Sequence, residues 1–120
     1  MLKRRKGFGT WTQKTASKFG NVPKTIDWHG KKTSFQSTKE ANRAHELLLL
    51  EKAGKITELD RQVTYRLEFN GVLICKYIAD FTYTDERGNE RIEDVKGVLT
   101  DVFKLKKRMM KAMGLEVEIV

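Results

Sequence analysis

The chain has 120 residues, of which 39% are hydrophobic and 33% are charged, a composition that suits one domain with a single packed core. No apolar run approaches the ~20 residues that a membrane span needs, and no apolar segment follows the basic first residues, so we expect neither a membrane protein nor a secretory signal. The single cysteine, Cys75, excludes an internal disulfide and a cysteine-based zinc cluster, which predicts a reduced, cytoplasmic protein.

Positive charge is concentrated at the start of the chain. Residues 1–36 carry nine lysines and arginines against one acid, Asp27, and therefore hold the whole net charge of +8. Each phosphate that a cation neutralises releases counterions, so a basic segment of this kind is typical of a nucleic-acid-binding protein, although a solvated tail that aids solubility is the alternative. We expect residues 1–24 to be a basic, partly flexible arm in front of a single domain over residues 25–120. The cations expected to contact DNA here are Lys3, Arg4, Arg5, Lys6, Lys14, Lys18, Lys31 and Lys32.

Turn and capping residues predict a hairpin and a helix behind the arm. The strand-like residues 25–28 and 33–35 flank a turn that contains Gly30. Ser37 and Glu40 have the spacing of a capping box, and apolar residues recur after them at helical spacing. Gly54 is a natural end for this first helix.

Three strands are predicted next. Residues 62–69 alternate between apolar and polar side chains, and Asn70 with the glycine after it is a strong hairpin signal. Residues 72–84 are mostly apolar, β-branched or aromatic, as in a central strand. A polar turn over residues 85–89 then leads into a third strand over residues 90–98.

A second helix and a last strand complete the pattern. Thr100 and Asp101 begin a helix that reaches about Met113, and residues 115–120 alternate again and are able to close a sheet. One stripe of this helix is predicted to be apolar and to contain Val102, Leu105, Met109 and Met113. The other is basic and is either the solvated face of an ordinary amphipathic helix or a surface that follows DNA phosphates; it contains Lys104, Lys107, Arg108 and Lys111.

Two acidic residues and a lysine are expected to converge on the hairpin of the second and third strands. A turn centred on Arg87 pairs positions whose numbers add to about 174, which places Asp80 across from Asp94. Alternation puts Lys96 on the same face as Asp94. Facing carboxylates repel one another unless a positive charge lies between them, and Lys96 or a hard divalent cation would supply it. The alternative is a solvated edge pair, but Asp80 lies inside an apolar run, where an unpaired carboxylate is costly.

The segments around these residues resemble the signature of the PD-(D/E)XK nucleases. They read KYIADF from Lys76 and EDVKG from Glu93, with alanine where the family name has proline. Over residues 25–120 the first helix, Gln62 and the order of elements also resemble short phage and prophage nucleases, some of which are described as Holliday-junction resolvases. The resemblance implies an α/β fold with a restriction-endonuclease-like core, in which an α-β-β-β-α-β order forms a mixed sheet flanked by helices.

The same resemblance implies roles for the clustered residues. Asp80, Asp94 and the backbone carbonyl of Val95 would bind Mg²⁺, for which Mn²⁺ would substitute. Such an ion lowers the pKa of a bound water and neutralises charge that develops on phosphorus. Lys96 would orient or deprotonate the attacking water and stabilise the phosphate.

Two further residues are implied with less support from the residue pattern. Glu40 resembles an additional acidic residue at the metal, but its spacing from Ser37 fits a helix cap equally. Gln62 would face the same cavity from the first strand. Glu93 is expected to point to the opposite face from Asp94 and is excluded from the site.

The sequence therefore predicts a metal-dependent DNA endonuclease that is selective for branched DNA, as in the phage resolvases. The alternatives are a nicking or mismatch-type nuclease without junction specificity, and a non-catalytic DNA-binding protein on the same scaffold. A resolvase places active sites on two strands, so we expect a homodimer. The expected location is the cytoplasm of a bacterial host.

Overall fold

The computed structural model describes residues 24–120, which divide into two compact units between Glu46 and Leu47. The elements in chain order are β1 (Lys24–Trp28), β2 (Lys31–Phe35), α1 (Thr38–Lys52), β3 (Thr57–Phe69), β4 (Val72–Thr84), β5 (Glu90–Asp94), α2 (Asp101–Ala112) and β6 (Val117–Ile119). This is an α/β structure with a mixed sheet and two helices, as predicted. Between residues 24 and 120, no helix is long and apolar enough to cross a membrane.

The first unit contains the predicted hairpin and the start of α1. Strands β1 and β2 pair antiparallel around a two-residue turn, in which His29 and Gly30 have φ values of 51° and 83°. Positive φ at both central residues is the geometry that matches the twist of the flanking strands. The Ser37 hydroxyl accepts a hydrogen bond from the Glu40 backbone N–H at 3.1 Å, which confirms the predicted cap of the helix.

Helix α1 ends where the sequence predicts. Gly54 has a φ of 77°, and the Lys55 N–H donates to the Leu50 carbonyl at 2.9 Å. This bond spans five residues and satisfies a carbonyl that the helix leaves without an internal partner, as in a Schellman motif. The left-handed conformation at Gly54 explains why a glycine stands there.

The second unit is built on a four-stranded sheet in the order β3-β4-β5-β6. Strands β3, β4 and β5 pair antiparallel, whereas β6 pairs parallel to β5 after the crossover through α2. The hairpin turn predicted at Asn70 is confirmed, because Phe69 pairs with Val72 and both turn residues have positive φ. Strand β4 has the predicted bounds, and the strand predicted over residues 115–120 is confirmed as the shorter β6.

Two predicted strand boundaries are wrong. Strand β3 begins at Thr57 rather than at residue 62, because the register shifts after Thr57 and positive φ at Glu58 and Gln62 breaks the alternation that the prediction used. Strand β5 ends at Asp94 rather than at residue 98. The Val95 N–H donates to a side-chain oxygen of Asp80, so the ladder stops there.

Helix α2 has the predicted ends but a different buried face. The Thr100 hydroxyl accepts from the Phe103 N–H at 3.1 Å. Phe103 and Met110 are the buried residues of the helix, and both belong to the core against the sheet. The predicted apolar stripe is wrong, because Val102 and Leu105 are 64% and 54% exposed. Other core members are Leu67, Tyr77, Ala79, Ile92 and Val117.

Candidate active site

The strand register brings the predicted residues into one row across the sheet. The ladder between β4 and β5 ends at the pair Phe81 and Glu93, and the same register extended by one position sets Asp80 across from Asp94. The ladder between β3 and β4 pairs residues on both sides of Gln62 with residues on both sides of Asp80. Because opposite positions on paired strands are neighbours, Gln62, Asp80 and Asp94 lie side by side.

Two hydrogen bonds hold the Asp80 carboxylate. Its Oδ2 accepts from the Val95 N–H at 2.8 Å, and its Oδ1 accepts from the Gln62 side-chain amide at 3.4 Å. The first bond ties Asp80 to the segment that leaves β5, and the second comes from the neighbouring strand. The structure therefore places Gln62 beside Asp80, and the orientation of Asp80 is fixed from two sides.

Asp94 is the most enclosed acid of the row, with 2% of its surface exposed. Its Oδ2 accepts a hydrogen bond from the Tyr77 hydroxyl and lies 3.5 Å from the Lys96 ammonium. The same ammonium lies 4.5 Å from the centre of the Phe103 ring, within range of a cation–π interaction. Lys96 is therefore held between a carboxylate and an aromatic face, at 30% exposure.

Burial and a neighbouring carboxyl perturb the acid chemistry of this site. Burial raises the pKa of Asp94 to about 7, and the hydrogen bond and charge of Asp80 raise it as well. The hydrogen bond from Tyr77 and the charge of Lys96 lower the same pKa, but they do not offset the first two effects. The pKa of Tyr77 is raised far above its usual range, first by burial and then by its bond to Asp94. Two carboxyls in contact share a proton or need a cation.

The acidic pair fits a hard divalent cation. No group of three or more His, Cys, Asp or Glu side chains that would hold a metal is present among residues 24–120. Mg²⁺, however, keeps several waters and is usually bound through one or two carboxylates together with substrate phosphates. Asp80 and Asp94 supply two oxygen-donor groups, and a cation between them would offset the cost of burying the Asp94 charge, so the donor set suits this ion.

Glu40 lies in the first turn of α1, within the first unit, and is 7% exposed. Its backbone takes part in the cap described above, and its role at a metal stays a prediction. For Val95 the structure gives a role to the N–H, while the carbonyl as a ligand also stays a prediction.

The predicted DNA-contacting cations are spread over several regions. Lys31 and Lys32 are exposed on β2, and Lys104, Arg108 and Lys111 are exposed on α2. Lys107 is half-buried and lies 3.9 Å from Glu116. The remaining predicted cations, Lys3, Arg4, Arg5, Lys6, Lys14 and Lys18, lie outside the described residues.

Sequence reasoning missed the two aromatic residues of the site. Tyr77 and Phe103 contact Asp94 and Lys96, yet both read as ordinary core residues in the sequence. A usable signal exists for Tyr77, because a tyrosine in an apolar strand needs a partner for its hydroxyl. Glu93, which the sequence excludes from the site, is buried, and its carboxylate accepts a hydrogen bond from the Tyr83 hydroxyl.

Comparison with known protein families assigns the chain to one of them. No curated protein matches the sequence. A family model with the description "Protein of unknown function (DUF1064)" matches residues 17–119, which is most of the chain and includes every residue of the site above. The chain therefore belongs to the DUF1064 family.

Proposed function

We propose that the protein is a divalent-metal-dependent DNA endonuclease with a PD-(D/E)XK active site. The observation that carries the proposal is the contact of two carboxyls, Asp80 and Asp94, beside the ammonium of Lys96 at 3.5 Å. A buried acid such as Asp94 costs stability unless it has a use, and a perturbed acid that clusters with a second carboxylate and a lysine is typical of catalytic sites. The mixed sheet and the resemblance of both sequence segments support the same assignment.

Asp80 and Asp94 would hold the metal, and Mg²⁺ is the ion that the oxygen donors suit. The bound ion would supply charge neutralisation at the phosphate and activation of water. Gln62 and the Val95 N–H keep Asp80 in place through their hydrogen bonds. Tyr77 does the same for Asp94.

Lys96 would act on the phosphate and the attacking water. Its ammonium is a compact point charge, suited to stabilising the additional negative charge of a phosphate under attack. The contacts with Asp94 and the Phe103 ring limit the motion of a side chain that is otherwise flexible. A lysine that is held in this way loses little further entropy when substrate binds.

The central test replaces Asp94 with Asn, which keeps the shape and removes the charge. We expect Asp94→Asn to lower DNA cleavage in Mg²⁺ by more than about a hundredfold. Removing a residue that only hydrogen-bonds to a metal ligand costs up to about a hundredfold, and loss of the ligand itself should cost more. DNA binding should stay intact or become stronger, because one negative charge near the phosphate is gone. The measurement is cleavage of labelled DNA together with a binding titration of the same substrate.

The matched control is Glu93→Gln, which changes the adjacent buried carboxylate in the same strand. The Glu93 carboxylate accepts a hydrogen bond from Tyr83 and is not one of the proposed metal-binding groups, so cleavage by a folded Glu93→Gln variant should stay within a few-fold of wild type. Wild-type cleavage that persists in EDTA would overturn the proposal. So would an Asp94→Asn variant that cleaves at the wild-type rate.

We further propose that branched DNA is the preferred substrate and that the protein acts as a homodimer in the cytoplasm of a bacterial host. The resemblance to short phage nucleases supports this assignment, and the net charge of +8 supports a nucleic-acid substrate. The test offers four-way junctions and linear duplex to the purified protein in Mg²⁺ and measures its mass by light scattering. Equal cleavage of both substrates by a monomer would favour the nicking-type nuclease instead.

A further inference from the structure

A cavity of about 300 Å³ adjoins the proposed active site. It shares Asp94 and Lys96 with that site and extends between β4 and the start of α2. Two more lysines, Lys76 and Lys106, line its outer wall, so the lining residues include three cations and one acid. A cavity of this charge favours an anion over a second metal ion.

The Lys106 ammonium is held in place at this wall. Its Nζ donates to the backbone carbonyl of Lys76 at 2.9 Å, which joins helix α2 to strand β4. An ammonium group has three N–H donors, and this bond uses one of them. Lys106 is half-buried whereas the Lys76 side chain is exposed, so the cavity combines one positioned cation with one that is free to adjust to a ligand.

Two exposed apolar side chains and a helix start complete the cavity. Ile78 on β4 and Val102 on α2 are 53% and 64% exposed, although both are branched aliphatic residues beside charged groups. Thr100, which caps α2, also lines the cavity, and the positive end of a helix dipole adds to the attraction for an anion. A ligand with a phosphate next to a sugar ring matches this lining, because the lysines suit the negative charge and the aliphatic side chains suit the carbon face of the sugar.

We propose that this cavity binds the DNA phosphate next to the one that is cleaved, with Lys106 and Lys76 on the phosphate and Ile78 and Val102 against its sugar. The inference rests on the proposed nuclease function and adds two residues to it, Lys76 and Lys106, that lie outside the basic stripe predicted for α2. Lys104, Arg108 and Lys111 of that stripe do not line the cavity. The site would position the backbone, so that Lys96 meets the correct phosphate.

The test measures binding of a short labelled DNA duplex in EDTA, where cleavage plays no part. Lys106→Ala should weaken binding about tenfold, as expected when one charge-assisted hydrogen bond is removed, and should lower the log–log salt slope by about 0.9. Lys106→Arg keeps the charge and should retain most of the slope. The matched control is Lys55→Ala, which removes a lysine of the same unit that is 57% exposed and pairs weakly with Glu86 at 3.7 Å.

A second readout reports on the cavity itself. In methyl NMR spectra, the signals of Ile78 and Val102 should shift when the duplex is added in EDTA, whereas that of the exposed Val72 should not. Equal losses of affinity in Lys106→Ala and Lys55→Ala, or unchanged methyl signals, would overturn the inference. The two proposals can fail separately. If Lys106→Ala specifically loses DNA binding but the wild-type protein never cleaves DNA in Mg²⁺, the phosphate-binding role of the cavity is supported and the nuclease function is rejected.

Discussion

The Asp94 side chain places an acidic group where water hardly reaches it. Its position opposite Asp80 could be predicted from the register of a single hairpin. Once the turn is known, paired residues have numbers with a constant sum. Its environment could not be predicted, since burial depends on α2 and on Tyr77, and neither contact follows from spacing along the chain. The sequence therefore identifies the acidic pair and the lysine but not the aromatic residues that hold them.

The raised pKa of Asp94 makes metal-free stability depend on pH. The folded-state pKa of about 7 is above the ordinary value of 3.8, so protonation of Asp94 favours the folded state. This contribution is fully present below 3.8 and is lost as the pH rises through about 7. In EDTA, the unfolding free energy of wild type relative to Asp94→Asn should therefore fall over that interval, as measured by urea denaturation.

Addition of Mg²⁺ should reverse the trend for the wild type alone. The ion offsets the charge that the protein otherwise buries at cost, so it should raise the melting temperature more at a pH above 7 than at a pH below it. The Asp94→Asn variant has no charge to offset at this position and serves as the control. A wild-type difference from Asp94→Asn that is flat with pH in EDTA would contradict the assigned pKa.

At the scale of elements, local signals located most of the helices and strands. Caps and turns are short-range features, and the hairpins at Gly30 and Asn70 and the helix end at Gly54 follow from them. The end of β5 was missed because a side chain of another strand, Asp80, takes the next backbone N–H. The buried face of α2 was missed because two apolar stripes overlap on that helix, and only packing against the sheet chooses Phe103.

Helix α2 should be sensitive to the residue that ends it. Gly114 has a φ of 84°, and the Leu115 N–H bonds back to the Met110 carbonyl. No atom lies within 4 Å of a Cβ added at Gly114, so the cost of Gly114→Ala is that of the left-handed backbone alone. We expect a loss of about 1–2 kcal/mol in unfolding free energy, measured by urea denaturation.

Gly97→Ala provides the matched control for stability. The space around a Cβ at Gly97 is equally open, but its φ is not in the left-handed region. The substitution should therefore leave the unfolding free energy unchanged or raise it slightly, because alanine restricts the unfolded chain. Equal losses in both variants would show that the backbone at Gly114 is not the cause.

At the scale of the whole molecule, positive charge and the acidic site occupy different parts of the sequence. Residues 1–23 contain six lysines and arginines and no acid. A chain without them should bind all DNA more weakly, and its log–log salt slope should fall by about 0.9 for each phosphate that the arm would have neutralised. A full-length variant with glutamine at these six positions separates charge from chain length. An unchanged slope in both proteins would exclude the arm from DNA binding.

The parallel pairing of β6 with β5 bears on how the site forms during folding. The hairpin of β4 and β5 closes through a short turn, in which Asp85 accepts bonds from Arg87 and Asn89, so Asp80 and Asp94 are able to meet early. Strand β6 reaches β5 across the α2 crossover, a longer loop that should close more slowly than the hairpin, and the Val120 N–H bonds to the Asp94 carbonyl. We therefore expect the enclosure of Asp94 to be a late step. Because enclosure is what drives proton uptake by Asp94, a late enclosure should place the pH dependence in the unfolding rate rather than in the folding rate.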